Sequence, residues 1–184
     1  MTLLIALVVL GALASPARPV AFDDAATAPA VTVRLERGVY TVAARFDIPD
    51  PPAVAFAVLT DYDAIPRFLS DVKTSVVRER SAGGAIVEQQ AVARMLMFSK
   101  RVHLVLEITE APHSIRFIDR CADSFVHYEG SWRLIPRGGG TEIRYALSAQ
   151  PSFEVPEFML RRLLKRDADR MIAGLTREMA SRPR

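Results

Sequence analysis

Cysteine is almost absent from this 184-residue chain; Cys121 is the single one. An intrachain disulfide is therefore excluded, and so is a metal site built from several thiolates. Histidine is nearly as scarce. His103, His113 and His127 are the three, and none pairs with another at the helical spacing that lets two turns share a metal ion. No residue pattern points to a metal site assembled across strands, and no cofactor is expected. Charge of one sign is lacking too: 24 Lys/Arg stand against 21 Asp/Glu, a net charge of +3. Nucleic-acid binding needs a larger basic patch interleaved with aromatics or glycine, so that class is set aside. No nucleophile–base pair and no glycine-rich phosphate loop appears.

Long apolar runs are missing as well. The longest is Leu3 to Ala14, 12 apolar or small residues, well short of the roughly 20 that cross a bilayer. It matches the apolar core of a secretory signal. Ala12-Leu13-Ala14 and Ser15-Pro16-Ala17 both suit a signal peptidase. No Lys or Arg precedes the run, which departs from the usual pattern. Residues 1–21 are read as signal peptide and leader, and 22–38 as a linker carrying an extra strand. The expected location is outside the inner membrane of a bacterium, in the periplasm.

What is present is hydrophobic patterning over half the composition. Val155 to Arg182 reads as one long amphipathic helix. Leu160, Leu164, Ala168, Met171, Leu175 and Met179 recur at steps of three or four and share a face. Met159, Leu163 and Ile172 widen it. Pro156 suits the first turn, where its missing N–H costs nothing. From residue 155 on there are eight Lys/Arg against four Asp/Glu, so the basic excess of the chain sits on this helix and its tail. Asp167 interrupts the apolar stripe. A carboxylate there is costly unless it is paired; the expected partner is Arg170, three residues on, and the alternative role is a polar contact to a ligand.

Before the helix the period changes from 3.6 to 2. Val31 to Glu36 alternates, Arg37-Gly38 turns, and Val39 to Ile48 resumes strand character. Asp50-Pro51-Pro52 reads as a helix start with Asp50 as the capping acid. Asp61-Tyr62-Asp63 is a second start, giving two short kinked helices. From Val72 onward, strands of about ten residues alternate with the turns Ala82-Gly83-Gly84, Ala111-Pro112-His113 and Arg137-Gly138-Gly139-Gly140. Such a meander is apolar on one face and polar on the other. The helix has one stripe to bury and the sheet one face. The economical solution is an α+β fold: a curved antiparallel sheet wrapped around the long C-terminal helix, with two short helices after the first strand. Met95, Phe117, Trp132, Tyr145, Met159, Leu163 and Met171 would face the interior between the two. His103, His127, Glu129 and Arg133 would face outward.

LTDYDAIPRFLSDV (Leu59 to Val72), YEGSWRLIPRGGGTEIRYAL (Tyr128 to Leu147) and PSFEVPEFMLRRLL (Pro151 to Leu164), in that order, resemble the START-like (SRPBCC) superfamily. The closest branch is the polyketide cyclase/dehydrase and coenzyme-Q-binding START-like group, over residues 39–182. The resemblance implies the helix-grip fold and a deep apolar cavity between the sheet and the last helix, lined by the interior residues named above, with Asp167 at its wall and Phe68 at its entrance. It favours a non-enzymatic carrier of a lipid, quinone or polyketide-like molecule. An aromatase/cyclase or dehydrase-type enzyme on the same fold is the alternative. A protein–protein interaction module with a closed core is the second. Arg161, Arg162, Lys165, Arg166 and Arg170 would offer a basic face to an anionic membrane surface.

Overall fold

The computed structural model describes residues 29–94 and 99–182. The leader expected over 1–21 lies outside the described residues, and so does Met95. Strands β1 (Ala30–Glu36) and β2 (Val39–Ile48) are followed by helix α1 (Pro52–Leu59), a 3-10 turn (Tyr62–Ala64) and the one-turn helix α2 (Ile65–Phe68). Then come β3 (Val72–Ser81), β4 (Gly84–Arg94), β5 (Ser99–Ala111), β6 (Ser114–Asp119), β7 (Phe125–Arg137), β8 (Gly140–Pro151) and helix α3 (Glu157–Ser181). The strands form one antiparallel sheet in the order β1-β2-β8-β7-β6-β5-β4-β3. Six of the seven neighbour pairs join strands consecutive in the chain. The exception joins β2 to β8, with Phe46 opposite Ile143. This pairing closes the meander back onto the start of the chain, and the two short helices span the gap it leaves in sequence.

Alternation places the core. Val42, Ala44, Phe46 and Ile48 of β2, Ile143, Tyr145, Leu147 and Ala149 of β8, and Val102, Leu104, Leu106 and Ile108 of β5 are buried in one cluster, with Ala168, Ile172, Leu175 and Met179 of α3. Burying an aliphatic side chain of this size stabilises by about 1.5–3 kcal/mol, so the larger of these α3 positions hold it firmly to the sheet. Tyr40, Leu160 and Leu163 make a second cluster at the N-terminal end of α3. There the helix runs beside β1 and covers that edge of the sheet, and Arg161 Nη1 donates to the β1 carbonyl of Val33 at 3.3 Å. The other edge, β3, is broken by irregularities at Val72/Thr74 and Val77/Glu79 and carries Lys73, Arg78, Glu79 and Arg80, all exposed. Bulges and charge discourage a foreign strand from pairing there.

Three local expectations are corrected. Asp50 does not cap α1: the cap position is Pro51, with no side-chain cap bond. Asp50 is buried, and its carbonyl accepts a 2.7 Å bond from Thr141 Oγ1 of β8, so it fastens the helix start to the sheet. Asp61 precedes the 3-10 turn without a capping bond; its carboxylate binds Arg182 Nη2 at 2.7 Å and ties the turn to the end of α3. Pro156 likewise stands just before α3, at the cap position, rather than within its first turn.

Candidate functional site in the helix–sheet interior

Neighbouring strands β6, β7 and β8 turn five aromatic side chains toward α3. Cross-strand register sets them: Phe117 faces Gly130, and Trp132 faces Tyr145. The Trp132 and Tyr145 rings are 4.5 Å apart, Phe117 stands 6.4 Å from Tyr145 and 5.9 Å from Tyr128, and Phe125 is 4.8 Å from Tyr128. A glycine is required beneath Phe117. A Cβ on Gly130 would come within 2.4 Å of the Phe117 ring and 2.5 Å of the Ala146 carbonyl oxygen. The ring therefore lies over bare backbone and reaches both tyrosines.

Two hydroxyls stand inside this apolar wall. Tyr128 and Tyr145 hydrogen-bond to each other. Burial pushes the Tyr128 phenol up to about 12, with the nearby Asp119 carboxylate adding to the rise. Burial raises Tyr145 well above the ordinary tyrosine range, and the Tyr128 partner adds to it. Both remain neutral donors at physiological pH and neither serves as a base. A second polar pair, Gln89 Nε2 to Ser75 Oγ at 3.1 Å, lies between β4 and β3. Glu110 is also held inside, accepting from Tyr62 at 2.8 Å and pairing with Arg80 at 3.0 Å. It is committed to anchoring the 3-10 turn to β5.

The residues expected from the sequence divide into groups. Phe117, Trp132 and Tyr145 come together as the aromatic wall. Phe68 and Met171 are half-buried against the same core. Leu163 is buried, but with Tyr40 and Leu160 near β1, away from the aromatics. Met159 is half-buried one turn earlier. Tyr128, Phe125 and Gln89 belong to the interior and were not singled out by sequence reasoning. Tyr128 and Phe125 lie on β7 beside the inward-facing Trp132, and Gln89 is a polar residue in an apolar register; those were the available signals.

Asp167 is half-buried on α3, its side chain 33% exposed. Its partner is Arg166 and not Arg170. Arg166 donates to Asp167 Oδ1 from Nε at 3.2 Å and Nη2 at 3.0 Å, and Nη2 also donates to the Arg94 carbonyl at 2.6 Å. Arg170 turns to Asp71 at 3.6 Å, which Arg94 holds at 3.1 Å. Adjacent helix residues point about 100° apart, but the long guanidinium folds back where a carboxylate and a strand-end carbonyl lie together. Desolvation raises the Asp167 carboxyl above its usual range despite the Arg166 pair. The ionised form is thus disfavoured by folding; the penalty is present above the folded-state pKa and relieved as pH falls through it. Replacing Asp167 with leucine is expected to leave the melting temperature equal or higher. Unchanged ligand retention in Asp167→Leu would end any ligand role for this side chain.

The chain matches the family model described as polyketide cyclase / dehydrase and lipid transport over residues 39–180. A search of curated proteins gave no match. Among solved structures, a Streptomyces sp. R1128 aromatase/cyclase, Zhui, is similar at 13% identity over 79% of this chain and 96% of its own, with TM-score 0.67. A STAR-related lipid transfer protein of Xanthomonas axonopodis is similar at 12% identity over 82% of this chain and 99% of its own, with TM-score 0.65. A Thermus thermophilus protein shares 24% identity over 77% of this chain and 99% of its own, with TM-score 0.66. At such identities the likeness is one of fold. The matched family model spans most of the chain, and the chain belongs to the polyketide cyclase/dehydrase and lipid transport family.

Proposed function

We propose that the protein is a non-enzymatic carrier that holds a hydrophobic small molecule (a lipid, quinone or polyketide-like compound) between the sheet and α3. The observation that carries this is the aromatic wall with its paired hydroxyls. Phe117, Phe125 and Tyr128 face inward yet stay only partly buried, so ring surface is available to a ligand. An apolar body would lie against the rings, and a carbonyl or hydroxyl would accept from Tyr128 or Tyr145. The described acids near this wall are engaged: Glu110 as above, and Asp119 by the backbone N–H groups of Val105, Cys121 and Ala122. That weighs against acid–base turnover. The same hydroxyl pair supports the alternative, an aromatase/cyclase-type enzyme that polarises ketone oxygens.

Delivery would use the outer side of α3. Phe158 is 73% exposed in a groove with Arg161, Arg162 and Lys165, an aromatic among cations suited to an anionic lipid surface. Arg161 and Lys165 already pair with Glu157 and Asp169 on the same helix, and such exposed pairs are weak enough to exchange for headgroups. The carrier reading includes export to the periplasm through residues 1–21.

Native mass spectrometry of the protein purified from its own host tests the proposal. One apolar small molecule per chain is expected, with occupancy falling severalfold in Phe117→Ala. A chain that purifies bare and takes up no fluorescent fatty acid or quinone sinks the carrier reading; turnover of a poly-ketone substrate would favour the enzyme. Phosphatidylglycerol vesicles should retain the protein at low salt and lose it with Arg162→Glu or Phe158→Ser.

A further inference from the structure

On the opposite face of the sheet from α3, the side chain of His103 meets those of Cys121 and Asp123, 18 and 20 residues further along the chain. His103 points outward from β5. The β6–β7 connection, residues 120–124, runs beside it and brings Cys121 and Asp123. A ring nitrogen of His103, the Cys121 sulfur and an Asp123 carboxylate oxygen all lie within 4.8 Å of one another. His103 Nδ1 is 2.6 Å from Asp123 Oδ2. We propose that His103, Cys121 and Asp123 form a binding site for a divalent transition metal of the Zn2+ class.

The donor set fits that class. One imidazole nitrogen, one thiolate and one carboxylate make a borderline-soft site; calcium and magnesium prefer oxygen alone. Tetrahedral zinc with bonds of about 2.0–2.3 Å puts its ligand atoms roughly 3.3–3.8 Å apart, so small side-chain rotations close the site. Two protons leave to solvent when the metal binds: that of the thiol, and the one His103 Nδ1 shares with Asp123.

A second observation is independent of the three ligands. The far nitrogen of His103, Nε2, lies 3.0 Å from Glu88 Oε1 on β4. Glu88 is itself held by Arg78, with Nε at 2.8 Å and Nη2 at 2.7 Å. A carboxylate on the distal nitrogen fixes the ring orientation and keeps Nδ1 turned toward Asp123, the arrangement that outer partners give to metal-binding histidines. The loop is also rigidly placed. Asp119 Oδ1 accepts the N–H groups of Val105 and Cys121, and Oδ2 that of Ala122. Ser124 Oγ accepts the His103 N–H at 3.0 Å, and Ser152 Oγ donates to the Asp123 carbonyl at 3.2 Å. Ala122 takes the left-handed conformation, φ 53°, which turns Cys121 and Asp123 to the same side. Three protein ligands leave a fourth position open, and the Asp123 side chain is 59% exposed, so solvent reaches it. The carrier reading does not depend on this site.

The test uses the full chain stripped with a chelator. Zinc chloride is titrated in competition with a chromophoric zinc indicator, and cobalt(II) is followed by absorption. One Zn2+ per chain and a near-ultraviolet thiolate-to-cobalt charge-transfer band are expected. Cys121→Ser should abolish the band, and both Cys121→Ser and His103→Gln should abolish one-to-one binding. Glu88→Gln should weaken affinity by about 10-fold or more while keeping the band. His127→Gln, on another part of the outer face, should change nothing. Far-ultraviolet circular dichroism confirms that each variant is folded. No one-to-one binding, cobalt binding without a sulfur band, or binding that survives Cys121→Ser would overturn the proposal.

Discussion

Trp132→Ala is expected to cost about 3–5 kcal/mol of folding stability. The indole is 9% exposed, stands 4.5 Å from the Tyr145 ring, and lies mid-strand in β7 with paired strands on both sides. Those strands limit relaxation, so most of the lost volume remains as a void. A domain of this size has only about 5–15 kcal/mol in hand, so the variant falls toward marginal stability, with a midpoint lower by about 10 °C or more in thermal melting. Trp132→Phe keeps an aromatic contact and should lose much less. The size of the effect also reports on the interior. A loss below about 1 kcal/mol would mean that the indole borders open space, because removing a group with few packed neighbours forfeits little dispersion contact. Added ligand should then protect the wild type more than the variant, since only the folded form binds it.

Gly174→Val is expected to be the second most damaging single change. Gly174 lies in the buried stripe of α3. A Cβ there would come within 2.5 Å of the Phe68 carbonyl oxygen and 2.9 Å of Leu69 Cδ2. The leucine tip can move; the carbonyl cannot, because the α2–β3 turn is tied by Leu69 N to Ile65 O at 2.9 Å and Val72 N to Leu69 O at 3.0 Å. α3 must therefore back away, loosening Ile172 and Leu175 beside it. Overpacking of this kind costs about 1–3 kcal/mol, and a β-branched side chain sits at the upper end. Gly174→Ala separates the contributions. Helix propensity alone would make it stabilising by about 1 kcal/mol, so a neutral or destabilised Gly174→Ala confirms the close approach, and a clear gain refutes it. The contact also bears on function, since it sets Phe68 against the helix at the expected mouth of the interior.

Much of this architecture was legible in the residues. Period-2 alternation marked the strands from Val102 to Ala149 together with their buried face, and Arg137-Gly138-Gly139-Gly140 marked the β7–β8 turn. The stripe from Leu160 to Met179 marked α3. The candidate wall was legible only in part. Phe117, Trp132 and Tyr145 were visible as inward residues, while Tyr128, which bonds to Tyr145, was not distinguished from ordinary core.

Gly174 shows why. In sequence it is a helix-weakening residue in an apolar stripe; only the arrival of Phe68, from far earlier in the chain, gives it a purpose. Asp167 shows the same limit. Helical spacing proposed Arg170 as its partner, but Asp71 at the start of β3 takes Arg170, and the Arg94 carbonyl draws Arg166 to the carboxylate instead.

The sequence by itself determined which faces are apolar, where the chain turns and that a long helix must be covered, because these follow from local periodicity and local backbone preference. The tertiary structure decided what lies across from each face: β2 against β8, the tyrosine hydroxyls against each other, and His103 beside Cys121 and Asp123. Periodicity tells a side chain which way to point. Its partner is set by strand order and register, which depend on how the whole sheet closes.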